Sequence, residues 1–358
     1  MRKILPLLSI LLPVVVSCYE KVLLPAGEEE PVLVMNAQMN NLEEVHSVAL
    51  SVSYLSKVEP LQGADVKVYV NGVFSTEAAE WPDAREFNAS WYGFEADFQP
   101  GDVVRLEVSA GSFSASSTVT VPPLAEVTLL DTASVRMTFM DEVSDYLQVK
   151  ARFQDLPGPS WYGVDCLVAD SCEYLDDDGI PVPKYSVART EMRAWLETGF
   201  DPVISEGAGK TPGGDLASLL YAPNEYNCFS DSPIADDECT LRVLIHPMSF
   251  YLGDLNYGIY YPDGVGEDEF ELLMGYSRRI KRKCYFRLRS LPFEQYHYLK
   301  ALSNLETFGT DFSFLVEPTT LPSNVEGGLG FVGIETVSGM EFASFEKTYP
   351  PVDVLYTY

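Results

Sequence analysis

Hydrophobic and polar residues alternate along much of this chain, beginning at Pro31. Val48, Leu50, Val52 and Tyr54 alternate with Ala49, Ser51 and Ser53, and Ala64, Val66, Val68 and Val70 alternate with Asp65, Lys67, Tyr69 and Asn71. A period of two marks half-buried strands. Asn71-Gly72 ends the second run as a hairpin turn, because both residues tolerate positive φ. Phe94, Ala96 and Phe98 lead into the turn Gln99-Pro100-Gly101-Asp102, and Val104, Leu106 and Val108 then oppose Arg105 and Glu107. Phe113 to Val121 places Ser114, Ser116, Thr118 and Thr120 on a wet face. Short strands with turn signals every about 8–12 residues predict a β-sandwich of immunoglobulin or transthyretin type over residues 31–123. Pro122-Pro123 closes it, since neither residue donates to a ladder.

Residues 124–358 read as a second, larger β-rich domain, so the chain as a whole is expected to be mainly all-β. Its strand candidates are Tyr146–Phe153, Tyr162–Ala169, Thr240–Ile245 and Cys284–Leu291, separated by Gly- and Pro-rich acidic loops. One short helix is predicted after Ser290, taken as its N-cap, with Tyr298, Ala301, Leu302 and Leu305 on one face.

The N-terminus breaks the pattern. Arg2 and Lys3 precede an apolar run from Ile4 to Val16, which as a helix reaches about 20 Å, short of the roughly 30 Å hydrocarbon core. Residues 1–17 therefore read as an export signal and 18–30 as a tether. Val15-Val16-Ser17-Cys18 resembles the lipobox of bacterial lipoproteins, in which the cysteine becomes the acylated N-terminus. Lipidation at Cys18 is the expectation, with acyl chains anchoring the protein at about 0.8 kcal/mol per buried CH2.

The net charge of −29 makes nucleic acid and anionic membrane surfaces poor partners. With 46% hydrophobic and 12% aromatic residues, the chain is nevertheless a folding one. Outside the reducing cytoplasm, Cys228 and Cys239 bracket a polar acidic loop and are candidates for a disulfide worth about 2–3 kcal/mol. Five unpaired buried thiols are the alternative. His46, His246 and His297 lie far apart with no paired spacing, so no metal or cofactor is expected. No nucleophile elbow occurs, and the acidic runs lack the calcium-loop spacing. Glu326-Gly327-Gly328-Leu329-Gly330 reads as a glycine-rich segment packed against a neighbouring strand rather than a phosphate cradle.

The sharpest local anomaly is a cluster of cations: Arg278, Arg279, Lys281, Arg282, Lys283, Arg287 and Arg289. Two readings stand. Either the cluster is neutralised internally, with Arg287 and Arg289 pairing across strands with acidic neighbours, or Arg278, Arg279, Lys281, Arg282 and Lys283 form a docking patch for an acidic partner or lipopolysaccharide. Tyr257, Tyr260 and Tyr261, on a Gly- and Asp-rich stretch, are a second candidate contact surface. Asp131-Thr132-Ala133 resembles a short O-glycosylation sequon, which makes Thr132 a candidate acceptor.

The lipobox, the N-terminal sandwich and the run from CYFRLRSLPFEQYHYLKALSNLE to LPSNVEGGLGFVGI together resemble a Bacteroidetes lipoprotein family, domain of unknown function 4249. The resemblance implies an outer-membrane location, on the periplasmic or surface face, and the company of TonB-dependent receptors. The expected function is thus a non-catalytic accessory binding component of nutrient uptake, its ligand open. A cell-surface adhesive module and a hydrolase with an unrecognised carboxylate site are the alternatives.

Overall fold

The computed structural model describes residues 30–54, 57–81, 88–139, 142–185, 190–206, 224–234, 237–250, 275–308 and 321–350. Cys18 and Tyr257, Tyr260 and Tyr261 lie outside the described residues. The first strands are β1 (Val32–Asn40), β2 (Val45–Tyr54), β3 (Lys57–Pro60), β4 (Asp65–Val70), β5 (Val73–Glu77), β6 (Ala79–Trp81), β7 (Ser90–Glu95), β8 (Val103–Ala110) and β9 (Phe113–Thr120). They are followed by β10 (Val127–Phe139), β11 (Glu142–Gln154), β12 (Trp161–Leu175), β13 (Thr190–Arg193), β14 (Leu196–Glu197), β15 (Cys228–Ser230), β16 (Glu238–Ile245) and β17 (Ser277–Leu291). Helix α1 (Phe293–Phe308) and β18 (Val332–Tyr349) complete the order. Asn71 and Gly72 both take positive φ (53° and 77°) at the β4–β5 hairpin, as the turn chemistry requires.

One ten-stranded sheet runs through both halves of the chain. Its order is β13-β12-β17-β18-β1-β2-β7-β6, with β15 added to β12 and β3 to β2. Two four-stranded sheets pack on its inner face: β5-β4-β8-β9 over the N-terminal part and β10-β11-β16-β14 over the C-terminal part. Each pairing encloses its own core. Met35, Leu50, Tyr92 and Leu106 belong to the first, and Val149, Tyr162, Leu241 and Phe286 to the second. Between them the segment after Pro122 crosses the long sheet on a row of hydroxyls. Ser290 Oγ accepts from the Ala125 N–H, Ser338 Oγ accepts from the Val127 N–H, and Thr336 Oγ1 donates to the Pro123 carbonyl. On this stretch of chain the first core is last joined by Val121 and the second is first joined by Ala125.

The two halves are joined more deeply than the sequence pattern implies. Residues 332–335 of β18 pair in parallel with Ala37–Asn40 of β1, and from Thr336 onward β18 pairs with β17 instead. Where β1 ends, the Asn41 side chain continues the rung, accepting the Val337 N–H at 2.6 Å. Val325, Val332 and Ile334 complete the N-terminal core. The glycine-rich segment just before β18 seals the sandwich edge, with Glu326 bridging Ser116 of β9 and Leu329 bridging Val34 of β1. A Cβ at Gly330, where φ is +113°, would overlap the Met35 carbonyl oxygen. Close packing against a strand is what this stretch does.

Helix α1 corrects its sequence reading. Ser290 lies within β17, and the first helical bond runs from the Tyr296 N–H to the Pro292 carbonyl. The buried stripe is Gln295, Leu299 and Ser303, while Leu305 is exposed. The helix lies on the outer face of the sheet, where Leu299 packs on Leu291 and Cys228 and polar residues also point inward: Gln295 donates to Glu335 and Ser303 Oγ accepts from the Glu225 N–H. The proposed Cys228–Cys239 disulfide is also overturned, as both thiols are free and buried. Cys228 faces α1 on the outer side of the long sheet, whereas Cys239 faces the core from the opposing sheet. Among the described residues no helix is long and apolar enough to cross a membrane.

A fragment ending near Val121 lacks the strand that closes its core, so it should fail to give cooperative urea unfolding by circular dichroism, and Gly330→Ala in the full chain should cost about 3 kcal/mol. His46 is buried against Phe98, with its Nε2 donating to the Ala96 carbonyl. Burial lowers its pKa below the ordinary 6.5, against the weaker opposing pull of that hydrogen bond. The unfolded chain therefore takes up the proton first, and stability should fall as pH drops below 6.5. A His46→Gln variant should lack that slope in midpoint-versus-pH measurements.

Candidate functional site: a charged cleft on the outer face

Period two on β17 sorts the cationic cluster between two faces. Even-numbered Arg278 and Arg282 turn inward and are buried, while Arg279, Lys281, Lys283, Arg287 and Arg289 turn outward. Arg282 is bound through two guanidinium nitrogens by Asp170, its cross-strand partner on β12, and also donates to the Phe250 carbonyl. Outside, Arg279 and Lys281 share Glu173, and Lys283 meets Glu341. Arg287 donates through two nitrogens to Asp165, at 2.6 and 2.8 Å. Cross-strand pairing is thus the reading that these contacts realise. Of the candidate docking residues, Arg278 and Arg282 are buried, while Arg279, Lys281 and Lys283 pair with the chain's own carboxylates on the outer face. Thr132 is exposed on β10, accessible as an acceptor must be.

Beside this ladder the outer face opens into a cleft of about 330 Å³. Its floor is Asp165 and Arg289, one wall is the β13–β14 turn with Trp195 and Glu197, and the other is the Asn224–Asn227 loop. Gly163 stands opposite Arg289 on the neighbouring strand, and a Cβ there would sit 2.7 Å from the guanidinium, so glycine lets Arg289 lie flat on the sheet. Arg289 donates to the Tyr226 carbonyl at 2.7 Å and pairs with Glu335 at 3.4 Å and with Asp165 at 3.6 Å. Burial raises the Glu335 pKa, against the pull of Arg289. Burial also pushes the Cys228 thiol up to about 11, with Arg289 opposing, so it is no nucleophile at neutral pH. At the rim Trp195 is exposed and stacks on His246, with ring centroids 4.4 Å apart. Thr198 and Asn227, hydrogen-bonded to each other at 2.9 Å, complete a polar wall.

Sequence reasoning placed Arg287 and Arg289 in cross-strand pairs, yet it missed the cleft itself. Trp195, Asn224 and Asn227 carry no motif and come from turns whose convergence depends on tertiary structure. Among the described residues no group of three His, Cys, Asp or Glu side chains is arranged to hold a metal ion. The calcium-like run at Asp176 is an Asx turn, its Oδ1 accepting from the Asp178 and Ile180 N–H groups.

The buried Asp170–Arg282 pair gives a test of the ladder. Asp170→Asn leaves a guanidinium inside without its counter-charge and should cost about 3–5 kcal/mol, whereas Asp170→Leu with Arg282→Met should cost much less. Urea unfolding of the single and double variants separates the two.

No curated protein matches this chain. Residues 20–339 match a family described as Domain of unknown function (DUF4249), a span that takes in both cores, the cleft and the junction of β1 with β18. The chain belongs to that family.

Proposed function

We propose that this protein is a lipid-anchored, non-catalytic binding protein of the bacterial outer membrane, serving a TonB-dependent receptor as an accessory in nutrient capture. The observation that carries the reading is the Arg289 cleft. Its buried ionisable groups already hold partners: Asp165 binds Arg287 and Arg289, Arg289 binds Glu335, and Glu197 is engaged as well. Groups committed in this way present fixed dipoles to an entering polar solute. That supports binding over the hydrolase alternative, which needs a pair of free carboxylates. The anchor rests on Val15-Val16-Ser17-Cys18, and the partnership on the family resemblance.

Gentle extraction of native membranes with crosslinking tests both parts. The intact mass should start at Cys18 plus acyl chains, and a β-barrel receptor should co-purify. An unacylated Cys18, or a protein that elutes alone after crosslinking, sinks the corresponding part of the reading.

A further inference from the structure

On the N-terminal half of the long sheet, the outer face carries an uncharged groove. Helix α1 sits over the middle of that face, close enough that a Cβ at Gly333 would meet the Gln295 side chain at 2.6 Å. Beyond the helix a groove of about 330 Å³ is lined by Asn36, Gln38, Ser47, Trp91, Tyr298 and Phe331, with Ala37 and Ala49 beneath. None of these residues is ionisable at neutral pH, in a chain that is 22% charged.

The register shows how the groove is built. Trp81, Trp91, Ala49 and Asn36 are successive cross-strand partners on β6, β7, β2 and β1, so they form one transverse row. Asn36 Oδ1 then accepts the Phe331 N–H at 2.9 Å, which extends the row by one position. At roughly 4.8 Å per strand, Trp91 and Phe331 start about 14 Å apart at the backbone. Small residues between them keep the floor low. Phe331 stacks on Tyr298 of α1, with centroids 4.3 Å apart and planes 11° from parallel, which makes a rigid second wall. Trp81 lies flat over Gly93 and extends the aromatic surface past Trp91.

We infer that this groove is a binding site for a neutral sugar ring. Trp91 on one side and Tyr298 on the other, the latter backed by the buried Phe331, offer π surfaces to an apolar ligand face. The exposed amides of Asn36 and Gln38, with the Ser47 hydroxyl, offer donors and acceptors to a polar edge. A pyranose combines both, since its C–H face stacks on indole or phenyl while its equatorial hydroxyls bond to amides. An acyl chain would leave the amides unpaired, and an anionic ligand would find no counter-charge in a strongly acidic protein. The volume sits at the small end of the range of about 300–1,000 Å³ for ligand pockets, and the open ends suit a ring within a longer chain. The inference is independent of the Arg289 cleft and of receptor docking.

The test titrates the full chain with cellohexaose, maltohexaose and xylohexaose, and with anionic oligogalacturonate, followed by tryptophan fluorescence and saturation-transfer NMR. At least one neutral oligosaccharide should bind saturably, and Trp91→Ala should weaken it by about tenfold or more. Gln38→Ala, at an exposed position that leaves the fold intact, should weaken it as well. Unchanged circular dichroism and thermal midpoint keep folding out of the comparison. The inference is overturned if no neutral oligosaccharide saturates at millimolar concentration, if Trp91→Ala binds like the parent, or if oligogalacturonate binds as tightly. Receptor co-purification by Trp91→Ala reports on docking separately, so the two readings fail independently.

Discussion

The parallel pairing of the first described strand with the last is the constraint on which the rest of the structure depends. A parallel neighbour cannot be reached through a tight turn, so β1 waits for a partner almost 300 positions away in the chain. Until residues 332–335 arrive, one edge of β1 is unpaired and the N-terminal core lacks Val325, Val332 and Ile334. Such long-range closure carries a large entropic cost and is characteristic of slow-folding β-topologies. The same strand then changes partner at Thr336 and runs along β17, so a single chain segment belongs to both halves. Two cores exist, but they do not amount to two independently closed domains.

Joining the halves into one sheet also creates its long outer face. Charge dominates the C-terminal part, where Glu173, Asp165 and Glu335 balance the outward cations of β17. Aromatic and amide groups dominate the N-terminal part. Helix α1 straddles the boundary, holding Glu335 through Gln295 on one side and offering Tyr298 to Phe331 on the other. The helix is also tied to the Asn224 loop, where Ser303 Oγ accepts the Glu225 N–H at 3.0 Å, and to Glu206. Tyr296 donates to Glu206 at 2.8 Å and Lys300 pairs with it at 3.1 Å. A shift of α1 would therefore be felt in both recesses.

Local chemistry was readable from the residues, and tertiary pairing was not. Alternation found β2, β4, β8 and β9 with their turns, and it found the cores of β11, β12, β16 and β17, because burial on one face leaves a period-two trace whatever the partner. It could not find the partner of β1, since periodicity reports a strand's faces and not its neighbours. The helix face was misread for a related reason. A helix whose buried stripe mixes Leu299 with Gln295 and Ser303 is passed over by a search for apolar positions. Cys228 and Cys239 looked suited to a bridge from their spacing alone, but only the layer arrangement reveals that they face away from each other. The cation cluster was legible as a pairing problem, because β-strand geometry puts opposite charges side by side once two strands are in register. The aromatic groove left no local signal, its walls coming from residues 91, 298 and 331.

Native-state hydrogen exchange at the junction of β1 and β18 is the measurement that bears most directly on this account. If the late strand is integral to the N-terminal core, the amides of Val332 and Ile334 should open with the same free energy as those of Met35 and Leu50, and both sets should respond alike to denaturant. Exchange at Val332 and Ile334 at much lower free energy, with Met35 and Leu50 still protected, would contradict it.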